Sequence, residues 1–119
     1  MTILFVSGDL MFGSQLSFAA QRAGATLLTA PHLAAVREKL SQATPRLALV
    51  DLNSVGKDLS EVVAALKGLT PPPHIIAYGP HVHEALLAEA QSLGCDRVLT
   101  RGQFNAQMAQ IIGEFAGKQ

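Results

Sequence analysis

Charge is scarce in this chain. Asp, Glu, Lys and Arg make up 15% of its 119 residues, and nine bases balance nine acids. A neutral chain with no Lys/Arg cluster lacks the electrostatic footprint that nucleic acid or an anionic membrane surface requires. Long apolar runs are absent as well: none approaches the about 18–20 residues needed to span a bilayer. The first residues lead straight into Ile3–Leu4–Phe5–Val6 with no basic segment, so no signal peptide is expected. Cysteine is reduced to Cys95 alone, which excludes an internal disulfide and fits a reducing, cytoplasmic setting. Cys95 itself reads as a small buried hydrophobe in the turn after a helix. Nucleophile–base pairings are also missing, since neither Ser7 nor Ser14 has an evident His partner. The chain therefore does not read as an enzyme.

What is present is a hydrophobic content of 49% over a length that suits one globular domain, residues 1–119. The stretch Leu47–Ala48–Leu49–Val50–Asp51 stands out as an apolar run closed by one acid. A run without polar alternation suits a strand buried on both faces, as in a parallel sheet covered by helices. A carboxyl group at the end of such a strand lies where open α/β sheets place their chemistry.

The remaining segments repeat a strand–helix unit. Strands are predicted at 2–6, 25–29, 46–52, 74–78 and 97–100. The first helix is predicted over 10–23, capped by Asp9, with Phe12, Leu16, Ala19, Ala20 and Ala23 inward and Gly24 as its stop. Pro31 is expected in the first turn of a second helix that runs to about Ala43. Residues 53–57 read as a polar, flexible loop, and Asp58 with Glu61 as a capping box for a helix over 59–66. Gly68 and Pro71–Pro72–Pro73 end that helix. A fourth helix is predicted over 83–93, and Arg101–Gly102–Gln103 leads to a fifth over 105–115. Five such units predict a doubly wound, five-stranded parallel sheet of order 2-1-3-4-5, the flavodoxin-like (βα)5 architecture.

With these elements in order, the chain resembles the CheY-like receiver domain of bacterial two-component response regulators over nearly its whole length. The turn Leu93–Gly94–Cys95 is similar to the family's alanine–glycine–alanine turn before the fifth strand. The resemblance implies a signalling module of phosphorelay systems with five working groups at the strand ends. Two adjacent acids hold Mg²⁺, an Asp accepts the phosphoryl group, and a Thr/Ser and a Lys bind its oxygens. A hard cation and a fixed ammonium neutralise charge on a transferring phosphoryl group.

Laid on this sequence, the acceptor falls on Asp51, the candidate phospho-acceptor. The acidic pair falls on Ser7 and Gly8, with Asp9 one residue late; the Thr/Ser on Gly79; the Lys on Arg101; and the Pro after it on Gly102. Val98 takes the place of the family's aromatic switch, and Asn53 the position whose backbone carbonyl ligates Mg²⁺. A pocket so depleted implies a degenerate receiver that needs no Mg²⁺ and takes no phosphoryl group. Arg keeps the positive charge and pairs well with a carboxylate, so an Asp51–Arg101 ion pair is expected inside it.

Other residues carry competing readings. Gly8, Gly13 and Ser14 space like a phosphate-binding loop, but the Lys that reaches phosphates is missing. His81 and His83, with Glu84, form the one His cluster and are the candidate metal ligands, Zn²⁺ or another transition metal. Met11 and Phe18, with Gln15 and Arg22, place apolar groups among polar ones on the first helix, a candidate partner face. The expected function is a non-catalytic, protein–protein interaction module that acts on an unidentified signalling partner, since no output domain follows Gln119. A homodimer through the fourth helix, fifth strand and fifth helix is a further arrangement. The alternatives are a genuine receiver phosphorylated on Asp51, and a small flavodoxin-like domain that binds a ligand or metal through His81, His83 and Asp51.

Overall fold

The structure, a computed structural model, describes residues 1–117. Its strands are β1 (Thr2–Val6), β2 (Thr26–Thr29), β3 (Leu47–Asp51), β4 (His74–Gly79) and β5 (Arg97–Thr100). They form one parallel sheet of order 2-1-3-4-5, as the strand–helix alternation predicts. Ile3 sits beside both Leu27 and Leu47, which makes β1 an inner strand, and β3 is buried at every residue. The helices are α1 (Leu10–Arg22), α2 (Leu33–Leu40), the single turn α3 (Leu52–Val55), α4 (Leu59–Lys67), α5 (Glu84–Ser92) and α6 (Arg101–Ala116).

Side chains alternate across each strand, so the sheet builds two cores. Leu4, Val6, Ala48, Val50, Ile75 and Ala77 meet Val36 of α2, Val62 and Leu66 of α4, and Ala90 of α5. On the opposite face Ile3, Phe5, Leu49, Ile76 and Tyr78 meet Phe12 and Leu16 of α1 and Phe104 and Ile111 of α6. Gly24 and Gly94 take positive φ, 73° and 88°, just past α1 and α5, where a side chain would be strained.

Several element ends differ from expectation. Helix α2 begins at Leu33, because His32 is its N-cap: the ring Nδ1 accepts from the Ala35 amide at 3.2 Å and leaves Pro31 outside the helix. It closes at Leu40, not Ala43. Residues 53–57 are not a flexible loop: α3 runs into a 3₁₀ turn, Gly56–Asp58, and Val55 is buried in the core, which pulls the segment down. Asp58 does not cap α4. The chain enters that helix from a helical turn (φ −86°, ψ 3°), without the extended backbone an N-cap needs, and its side chain makes no cap bond. Strand β3 stops at Asp51 while β4 carries on through Gly79. Helix α6 starts at Arg101, ahead of the expected Asn105, because Thr100 and Gln103 form a capping box with bonds of 3.2 and 2.9 Å.

Candidate functional site at the carboxyl edge of the sheet

Asp51 ends β3 and caps α3, so its side chain turns back over the sheet edge and is only 3% exposed. Its Oδ1 accepts from the Asn53 amide at 3.1 Å. Its Oδ2 accepts from the Ser7 hydroxyl at 2.7 Å and the Ser54 hydroxyl at 3.0 Å. Each serine is itself satisfied, since Ser7 Oγ accepts from the Asp9 amide (2.9 Å) and Ser54 Oγ from the Gly8 amide (3.1 Å). A hydroxyl has one proton to donate, and both serines give theirs to Asp51. The result is a closed polar knot that ties the end of β1 to the end of β3.

Tyr78 lies directly beside Asp51 in the sheet register. Its ring stacks on Phe104 at 4.1 Å and meets the edge of Phe12 at 5.7 Å. The phenol hydroxyl is buried, within the field of Asp51 and near Ser7, yet it makes no hydrogen bond of ordinary geometry. Burial first, and then the negative field of Asp51, push its pKa far above the usual phenol range.

A second group of residues closes the neighbouring helix ends. Asp9 caps α1, with Oδ1 accepting from the Phe12 amide at 3.0 Å, as expected for that residue. Its Oδ2 accepts from Arg101 at 2.7 Å, and the guanidinium lies 4.7 Å over the Phe12 ring. The Phe12 amide, joined by Arg101, holds the Asp9 carboxyl below its usual range against the opposing effect of burial. The expected Asp51–Arg101 pair is therefore not formed. Asp51 already has both oxygens occupied, whereas Arg101, on the first turn of α6, reaches the N-terminus of α1. A cation there opposes the α6 dipole, and Asp9 offsets it.

Beside this clasp a groove of about 490 Å³ runs between α1, the segment after β4 and the start of α6, with Phe12, Gln15, Pro80, His81 and Arg101 among its walls. His83 stands at the start of α5 and makes no cap bond. Among the described residues, no three His, Cys, Asp or Glu side chains come together to hold a metal ion.

No family model matches this sequence, and no curated protein matches it either. Solved structures do match the fold. A response regulator from Thermotoga maritima superposes with a TM-score of 0.74 at 13% identity, covering 95% of this chain and 97% of that one. The receiver domain of NtrX from Brucella abortus gives 0.75 at 18%, covering 96% of each. The receiver domain of TorR, the response regulator of the TMAO respiratory system, gives 0.80 at 17%, covering 96% and 94%. The fold is that of response-regulator receiver domains.

Within that receiver fold, the strand-end positions singled out in the sequence do share one edge of the sheet, but they do not act as one set. Ser7 and Asn53 belong to the Asp51 knot, and Gly8 joins it through its amide. Asp9 and Arg101 form the separate clasp. Gly79 pairs with Thr100, and a side-chain carbon at 79 would stand 3.3 Å from Leu52, so even a small hydroxyl residue would press on the core. Val98 packs against the α5 side of the sheet. Gly13 and Ser14 lie inside α1, which dissolves any phosphate-binding loop there. The sequence reading missed Ser54 and Tyr78. Ser54 follows Asp51 by three residues, the spacing of a capped turn, and that signal was legible. Tyr78 carried no such signal.

Proposed function

We propose that this chain is a receiver-fold interaction module that presents a fixed surface to a protein partner in the cytoplasm, without catalysis and without phosphorylation of Asp51. The observation that carries this reading is the closure of Asp51. Both its oxygens already accept from protein donors and the group is almost wholly buried, so it is not presented to a phosphodonor. The donor set does not fit Mg²⁺ either. A hard cation needs several free oxygens, whereas here the serine oxygens already accept from the Asp9 and Gly8 amides and Asp9 is held by Phe12 and Arg101. The partner surface on this reading is α1, where Met11 and Phe18 are 68% and 62% exposed. The exposed large apolar side chains among the described residues lie on α1 and at Val82, which favours α1 over a homodimer through α5, β5 and α6.

Incubation with Mg²⁺ and a small-molecule phosphodonor, followed by intact-mass analysis, tests the proposal. The expected result is no phosphoryl adduct. An adduct that Asp51→Asn removes would establish a genuine receiver instead, the reading favoured by the place of Asp51 at the end of β3.

A further inference from the structure

Helices α1 and α6 lie side by side on one face of the sheet, and the groove between them continues well away from the strand ends. It has a volume of about 540 Å³. Phe18, Ala19 and Arg22 line it from α1, and Met108, Ala109 and Gly113 from α6. Phe18 is mostly exposed, with the Arg22 guanidinium 5.7 Å above its ring. Gly113 is in the interior of α6, where glycine is unfavourable relative to alanine. Nothing packed against the helix requires it: outside its own turn of α6, no described atom lies within 4 Å of the place its Cβ would occupy. Small residues on one wall and a large ring on the other shape a channel into which a third helix can lower its ridges.

Charge selects among the occupants. The two helices contain one acid between them, Glu114, and it is paired with Arg97 at 3.1 Å. Arg22 has no carboxylate partner among the described residues, whereas Arg101, at the far end of the helix pair, is held by Asp9 at 2.7 Å. The groove therefore holds one uncompensated cation, Arg22, and no acid. A second copy docking through the same face would bring no carboxylate for Arg22. A partner with carboxylates beside its apolar residues complements it.

We infer that the groove between the C-terminal half of α1 and the middle of α6 takes an amphipathic helix whose apolar stripe is flanked by carboxylates. This rests on the interaction role proposed above and names its partner by chemistry. The apolar stripe lies over Ala109 and Gly113 beside Phe18, and the carboxylates reach Arg22. Because the groove shares no residue with the Asp51 knot, binding there is independent of that carboxyl group.

The test uses a designed helical peptide of Leu, Ala and Glu, with Leu at helical anchor spacing, and a twin carrying Lys in place of Glu. Each is titrated into the isotope-labelled full chain. The expected result is a set of amide shifts confined to 18–23 and 108–113, with the Lys twin bound at least about tenfold more weakly. Gly113→Leu should weaken the Glu peptide about tenfold with no fall in melting temperature, since the site is open and leucine favours the helix. Arg22→Glu should reverse the preference between the twins. Equal affinity for both peptides, absence of saturable binding, or shifts elsewhere would overturn the inference. So would a dimer in sedimentation that Gly113→Leu abolishes, which would assign the groove to a second copy. The phosphodonor experiment reads Asp51 alone, so either test can fail without the other.

Discussion

The end of β3 and the outer face of α1 make opposite use of their surroundings. At the strand end a polar group is buried and every partner is supplied from within the chain: Asp51 takes three hydrogen bonds, and the two serines that donate each accept one from a backbone amide. On α1, apolar groups that could have been buried are left in solvent, with Met11 and Phe18 more than half exposed. A buried polar group whose partners come from the chain itself stabilises one arrangement and is turned away from a ligand. An exposed apolar side chain adds little to folding, and its burial is still available to a partner. In this protein the strand end holds the fold together, and the helix face is the part left open.

The contrast can be broken most severely at Asp51. Asp51→Ala strands the buried Ser7 hydroxyl, the half-buried Ser54 hydroxyl and the Asn53 amide, and a stability loss of about 3 kcal/mol is expected in chemical denaturation. A loss well below that would mean the knot is not what joins β1 to β3. Asp9→Ala comes next, removing the α1 cap together with the Arg101 contact, for a loss of about 1–2 kcal/mol. This contribution has a definite pH signature. The folded Asp9 carboxyl lies below its ordinary value of 3.8, so its stabilisation is complete above that value and disappears as the pH falls through the lower folded one. Acid titrations of wild type and Asp9→Ala should therefore converge only at strongly acidic pH, and parallel curves down to that limit would contradict the assignment.

Smaller changes sharpen the comparison. Tyr78→Phe keeps the stack on Phe104 and deletes a hydroxyl that is buried without a partner, so a gain of up to about 1 kcal/mol is expected. A loss would show that the hydroxyl is engaged in solution, with Ser7 or Asp51 as its nearest candidates. Phe18→Ser should change stability by less than about 0.5 kcal/mol, because its ring is largely outside the core. A larger fall in melting temperature would place Phe18 in the fold and remove the distinction between the two regions.

Much of this architecture is written locally. The alternation of apolar strands with helical stripes and the stops at Gly24, Gly68 and Gly94 depend on neighbours within a few residues, so they are readable one segment at a time. The N-cap at Asp9 belongs to the same class and sits where the sequence places it. The missed helix starts at Leu33 and Arg101 were also local. Their signals, a His cap and a Thr–Gln capping box, are less common than the proline and asparagine cues that suggested otherwise.

The partners of the strand-end groups lie beyond that range. Asp51 and Ser7 are 44 residues apart, and Asp9 and Arg101 are 92 apart. Asp51 and Arg101 are complementary as residue types, and composition alone makes their pairing attractive. Which donor fills a carboxyl group first depends on strand register, on the turn of α3 that brings Ser54 under Gly8, and on the direction in which α6 leaves the sheet. The sequence by itself determined the sheet, its order and the position of an acid at the tip of β3, because burial patterns and turn chemistry are short-range. Only the tertiary structure decided that this acid is enclosed by hydroxyls while Arg101 serves the neighbouring helix, because hydrogen-bond partners are allotted by distances that exist only once the chain has folded.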